Sequence, residues 1–254
     1  MPLVLIVALT AFVLGAAART ARLRQQRRSV SALTRDTTVV AAGRVQGTVR
    51  RELIPADASP VTPPAEMRRR VQGLAPGTYI EDVLAEQDSA LYRWPERVSD
   101  ALRVYVEPSS AIAGWNAQLP AIAQNVFAEW SQAGFPLRFT FIFDTTSADI
   151  LIRWVDRFPS EDGQRIGVTE RLQTSAFQIA KARVFIANRD SLGRPLSLTV
   201  MSGTLRHEIG HALGLNHSRD ASSVMYRESA TAQISASDRS TLRLIYLVPP
   251  GSLR

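Results

Sequence analysis

The chain has 254 residues, 45% of them hydrophobic and 21% charged, enough apolar material for one sizeable core plus a tail. Its formal charge of +7 is concentrated at the front: residues 1–70 carry 12 Arg against 4 acidic residues, 71–99 carry 2 basic against 5 acidic, and 100–254 carry 16 against 14. A nearly neutral domain argues against nucleic acid as a partner, and the absence of cysteine excludes disulfides, thiolate metal sites and thiol nucleophiles.

Residues 2–18, PLVLIVALTAFVLGAAA, form an uncharged, mostly apolar run of 17 residues. That is short of the roughly 20 that span a bilayer but long enough for the core of a signal peptide, with Ala16, Ala17 and Ala18 as a cleavage site. No Lys or Arg precedes the run, whereas Arg19, Arg22, Arg24, Arg27 and Arg28 follow it and would keep that end of an uncleaved helix in the cytoplasm. Residues 1–18 therefore read as a signal peptide or a membrane anchor, and the expected protein is secreted or membrane-anchored with its domain outside the cytoplasm. Residues 19–77 are rich in Arg and Pro with little periodicity, which predicts a linker or pro-segment, an inhibitory propeptide being the functional alternative.

The domain is expected over residues 78–254. LRVYVEP (102–108) alternates as a half-buried strand does, and LPAIAQNVFAEWSQAG puts Ile122, Val126, Trp130 and Ala133 at helical spacing ahead of Gly134. PLRFTFIFD (136–144) and ADILIRWVD (148–156) are rich in β-branched and aromatic residues and predict strands. RIGVTERLQ and AKARVFIAN supply two more, joined by TSAF as a hairpin loop. LTVMSGTLRHEIGHALGL then predicts a helix with Met201, Leu205, Ile209, Ala212 and Leu213 on one side. SASDRSTLRLIYLVPP predicts a last helix, N-capped by Ser235 or Ser237 and stopped by Pro249. Five strands and three helices in this order make an α+β domain.

All three histidines of the chain fall in HEIGHALGLNH, residues 207–217. On a helix His207 and His211 lie one turn apart on the same face and can present two ring nitrogens to one point. A third ligand from the next turn would point away, but Gly214 can take a left-handed conformation that ends the helix and brings His217 back to the site. Three neutral imidazoles around one Zn²⁺ leave a fourth position for water, the arrangement of a catalytic ion. Glu208 projects about 100° round the helix from His207 and is the candidate general base. At ordinary residue usage the full pattern His-Glu-x-x-His-x-x-Gly-x-x-His arises by chance on the order of once in ten million positions.

HEIGHALGLNHS followed by SVMY resembles the metzincin metallopeptidases, most closely their matrixin branch, whose bacterial members it is similar to. The resemblance implies a catalytic domain with a twisted, mixed five-stranded sheet, a long helix packed on it, a zinc-binding active-site helix and a C-terminal helix. It also implies that Met225, eight residues after His217, forms a methionine turn beneath the metal, with Tyr226 directly after it. Two features depart from animal matrixins: without cysteine a thiol latency switch cannot exist, and with three histidines there is none left for a second, structural zinc.

The function so implied is zinc-dependent hydrolysis of peptide bonds in a protein or peptide substrate, through water activated by Glu208. The alternative is a catalytically inactive, zinc-stabilised binding module at the cell envelope. RIGVTERLQ is the expected edge strand for an extended substrate, and RDASSVMYRESATAQ the expected wall of the S1′ pocket. DRFPSEDGQ, with Asp156, Glu161, Asp162 and Gly163, reads as a Ca²⁺ loop or as a solvated acidic loop. Membrane attachment would run through residues 2–18.

Overall fold

The computed structural model describes residues 34–35, 49–54, 62–96, 100–159, 164–228 and 233–254. The expected signal or anchor at residues 1–18 lies outside them. Among the described residues no helix is long and apolar enough to cross a membrane.

In chain order the elements are strands β1 (Thr34–Arg35) and β2 (Val49–Ile54), helices α1 (Pro64–Leu74) and α2 (Ile80–Glu86), and strands β3 (Ala90–Leu91) and β4 (Leu102–Val106). Helix α3 (Leu119–Ser131) is followed by β5 (Phe139–Ile142), β6 (Ile150–Val155), β7 (Gly167–Thr174) and β8 (Ile179–Ala187). Helices α4 (Leu198–Ala212) and α5 (Ala236–Leu247) and the short β9 (Gly251–Ser252) close the chain.

The five strands expected from the sequence lie side by side in the order β7-β8-β6-β4-β5, all parallel except β7, which pairs antiparallel with β8 across a tight turn at Thr174–Gln178. This is the mixed sheet of an α+β domain. Ile150, Leu151 and Ile152 are all buried, so β6 is covered on both faces, as its unbroken apolar run requires of a parallel strand. Helix α3 turns Leu119, Ala123, Val126, Phe127 and Trp130 into the core, and Gly134, at φ +73°, redirects the chain just beyond it. The buried Trp130 reaches α4, its ring N–H donating to the Arg206 carbonyl at 3.1 Å.

One element was not expected and one expectation is corrected. Within the stretch read as a linker or pro-segment, α1 forms because Pro63 and Pro64 preset the first turn, and it buries Met67 and Val71, one turn apart, in the main core. The short Arg/Pro-rich character of this stretch masked a two-residue apolar stripe. Met67 lies against Gly251, Arg68 donates to the Leu253 carbonyl, and β3 pairs antiparallel with β9, so the helix is sewn to the end of the chain.

The correction concerns β7, which is not an edge. β2 pairs with it in parallel, from Val49 opposite Thr169 to Ile54 opposite Thr174, and β1 pairs antiparallel with β2. Among the described residues the sheet therefore has seven strands, the two beyond β7 coming from the segment ahead of α1.

Met67→Ala should cost about 2–5 kcal/mol, the usual range for emptying a core methionine site. Urea unfolding of the purified chain measures this; a cost near zero would return residues 62–77 to the linker.

Candidate metal centre

Helix α4 begins at Ser197, whose hydroxyl accepts from the Val200 N–H at 3.3 Å, and it lays Met201, Leu205, Ile209 and Ala212 into the core. Its end is a complete reversal: the Gly214 N–H donates to His211 O and the Leu215 N–H to Gly210 O, both at 3.0 Å, with Gly214 at φ +114°. A Cβ on Gly214 would stand 2.9 Å from the Tyr92 carbonyl oxygen, so conformation and space both demand glycine there. The orphan carbonyls of the last turn are met from three directions. Trp94 Nε1 donates to Ala212 O at 2.9 Å, the Tyr246 hydroxyl to Leu213 O at 2.8 Å, and the buried Arg171 of β7 to His211 O at 3.2 Å.

This reversal brings the three histidines into one buried cluster. Ring centroids are 4.7 Å apart for His207–His211 and His211–His217 and 5.5 Å for His207–His217, and one ligating nitrogen from each lies within 4.8 Å of the others. Every Nδ1 is already engaged: His207 with Val224 O at 2.7 Å, His211 with Leu215 O at 3.0 Å, His217 with the Glu86 carboxylate at 3.1 Å. Acceptors at all three Nδ1 positions fix the tautomer with the proton there, which leaves the Nε2 lone pairs for a common ligand. His207 Nε2 and His211 Nε2 sit 3.1 Å apart, and His217 Nε2 is buried without any hydrogen-bond partner. Three such nitrogens and no thiolate suit a Zn²⁺ ion with an open position.

Burial, joined by repulsion from the other rings, drives His211 well below the ordinary imidazole value and His207 to about 3. Both rings are therefore neutral and ready to ligate. Glu208 is buried too, and burial pushes its carboxyl up to about 8 against the opposing pull of the Thr169 hydrogen bond and the Arg165 charge. Thr169 Oγ1 donates to Glu208 Oε2 at 2.7 Å, while Oε1 has no partner. Gly167 lets β7 approach this closely, since a Cβ there would lie 2.6 Å from Glu208 Oε1.

Met225 is wholly buried against α4, and its sulfur would be 2.5 Å from a Cβ on Gly210. The turn carrying it is held by α5: Asp238 accepts from the Ser223 hydroxyl and, at 3.0 Å, from the Val224 N–H, while closing a capping box with Ser235. Because Val224 O is the acceptor for His207, the first turn of α5 bears on the orientation of a ligand.

Several of these residues were not singled out in the sequence. Gly210 announces itself as a glycine inside a helix, where it costs stability unless something packs against it, and Asp238 sits three residues after Ser235 in a capping-box pattern. Thr169 and Glu86 carry no local signal. Beside His217 a cavity of about 500 Å³ opens, lined by Asp82, Glu86, Arg219, Tyr226 and Arg227 among others. Only part of the expected S1′ wall borders it, and residues 229–232 lie outside the described residues. Of the acidic loop, Asp156 faces Arg189 at 3.3 Å, and Glu161, Asp162 and Gly163 lie outside the described residues.

A mixed sheet, a helix ended by glycine at the histidine cluster and a buried methionine turn beside it are the features of a metzincin-type domain. The matrixin family model matches residues 94–247, and the chain belongs to that metallopeptidase family. The match runs from just before β4 to the end of α5 and leaves α1 and α2 outside. No curated protein matches the chain.

In metal-free protein the buried groups set opposite pH dependences. Glu208, at about 8 in the fold against 4.5 ordinarily, keeps a proton that the unfolded chain releases, so its contribution to stability is lost as pH rises from about 4.5 through 8. His207, at about 3 against 6.5, acts in the other sense and its contribution is lost as pH falls from about 6.5 through 3. Denaturant unfolding with chelator present should show the alkaline loss in wild type and a flatter profile in Glu208→Gln; identical profiles would contradict the buried carboxyl.

Proposed function

We propose that the protein is a zinc endopeptidase in which His207, His211 and His217 hold the ion and Glu208 is the general base. Met225 and Gly214 support the site without taking part in the chemistry. The observation that carries this reading is the convergence of three buried imidazole nitrogens beside a carboxylate that is tied at one oxygen and free at the other. When bound, zinc supplies Lewis acidity, polarising the scissile carbonyl and lowering the pKa of water towards about 7.

The chain's own groups do the rest. Thr169 holds Glu208 Oε2, so Oε1 is the atom that takes the proton from water as its oxygen attacks the carbonyl carbon. The same oxygen returns the proton to the departing amine as the C–N bond breaks. A dication nearby favours the ionised carboxylate that this step requires, offsetting the burial that raises it. Glu208→Gln should retain zinc and lower peptide cleavage by at least about 10²-fold, the low end for loss of a positioned base. A chelator should abolish cleavage by wild type. Zinc analysis and cleavage of a mixed peptide library check both, and ordinary turnover by Glu208→Gln would overturn the assignment of the base.

The pairing of β2 bears on when this activity is expressed. An extended substrate running past Glu208 would add to the sheet along β7, using the backbone groups of Thr169–Thr174 that β2 engages. On this reading the chain with β2 in place is latent, without any thiol. Arg50→Pro combined with Arg51→Pro removes an N–H on each side of β2. At about 1 kcal/mol for the one hydrogen bond to β7 that is lost, turnover of a model peptide should rise about fivefold. Unchanged turnover in a zinc-loaded, active wild type would mean that β2 does not compete with substrate.

A further inference from the structure

Helix α2 lies outside the region that matches the matrixin family, yet its last residue reaches the metal cluster. The Glu86 carboxylate lies 3.1 and 3.2 Å from His217 Nδ1 through its two oxygens, and accepts the His217 backbone N–H at 3.2 Å. Arg227, from the segment just after Met225, donates to the same carboxylate. Glu86 is thus a half-buried anion bound simultaneously to a histidine ring, to that histidine's backbone and to an arginine.

The three ring anchors are chemically unequal. His207 and His211 each give Nδ1–H to a neutral backbone carbonyl, whereas His217 gives its own to a carboxylate. The contact to Glu86, at 3.1 Å, is not the shortest of the three, but its acceptor is the only one carrying a charge, and a carboxylate raises the electron density at the far ring nitrogen more than a neutral carbonyl does. His217 also needs this more than the others. It stands outside α4, beyond the reversal at Gly214, so no helix backbone fixes its χ angles, and of the three Nε2 atoms its own is the one buried with no hydrogen-bond partner.

We propose that Glu86 is the positioning residue for the third metal ligand: it fixes the tautomer and ring direction of His217 and strengthens its hold on the ion. The proposal rests on the reading of the three histidines as zinc ligands. It makes α2 part of the metalloenzyme unit, not a spacer ahead of it, because the site is completed by a side chain from before residue 94. Arg227 sets how much negative charge the pair presents, neutralising in part the carboxylate it touches.

A second contact separates this role from simple docking of α2. Asp82, one turn earlier, accepts from Arg219 Nε at 2.5 Å and from the Arg219 N–H at 2.9 Å, fastening the same helix to the same loop without touching His217. The experiment compares Glu86→Ala, Glu86→Gln and Asp82→Ala in the full chain, measuring zinc affinity by competition with a chromophoric chelator and the visible spectrum of the cobalt(II) form. Glu86→Ala should bind zinc about 10- to 100-fold more weakly, the range for losing such an outer carboxylate. Glu86→Gln, which keeps an oxygen for Nδ1–H, should recover part of that loss, and Asp82→Ala should bind as wild type does. The cobalt bands should shift in the Glu86 variants alone.

Wild-type zinc affinity in both Glu86 variants overturns the proposal, and so does an equal loss in Asp82→Ala, which would make Glu86 one more docking contact. If Glu86→Ala does not fold, the near-isosteric Glu86→Gln decides by the same two measurements. A wild type that takes up no zinc would instead remove the metal-site reading on which the proposal stands.

Discussion

At the C-terminus of α4 a helix must stop within one residue and send its chain back past its own last turn. Gly214 makes that turn at a positive φ, in a place where the Tyr92 carbonyl leaves no room for a side chain. The carbonyls exposed by stopping there are covered by Trp94, Tyr246 and Arg171, which come from the chain before β4, from α5 and from β7. Three otherwise separate parts of the domain are therefore fastened to one helix end. His217 meets the two helical histidines only because this end is so firmly held.

Around the cluster, a uniform rule governs the polar groups: each imidazole is tied through Nδ1, so what remains free is a set of Nε2 lone pairs facing one another. The acceptors come from different distances along the chain. Leu215 O is supplied by the helix end itself, Val224 O by the methionine turn that Asp238 steadies, and Glu86 by a helix more than a hundred residues earlier. Burial keeps His207 and His211 neutral, and the same burial makes Glu208 hold its proton until a compensating positive charge is near. On the proposed reading the low-dielectric setting thus favours metal binding and makes the base dependent on it.

The close approaches of glycine are as instructive as the hydrogen bonds. Gly167 admits β7 to the side of Glu208, and Gly210 admits Met225 to the underside of α4. Both replace a side chain by contact between neighbouring elements, and both tighten the site from a direction that the histidines do not control. On its outer side β7 carries β2, so the strand that supports the base is also the strand where the front segment joins the sheet. On the proposed reading, support of the base and access of substrate are in this way coupled through one strand.

Spacing along the chain was sufficient for everything that depends on local periodicity. A four-residue interval puts His207 and His211 on one helix face, glycine three residues on permits the reversal, alternation marks β4, and runs rich in β-branched and aromatic residues mark β5 and β6, with β7 and β8 following in the right order. The family resemblance added the methionine turn. Helix α1 was missed because two buried residues in an Arg- and Pro-bearing stretch make too short a stripe to stand out, and its stability comes from Gly251 and Leu253, nearly two hundred residues away. The pairing of β2 with β7, the grip of Thr169 on Glu208 and the contact of Glu86 with His217 were decided by tertiary structure alone. Each joins residues remote in sequence, through backbone groups that every residue carries or through a single side chain with no periodic company, and only the folded chain determines which of these meet.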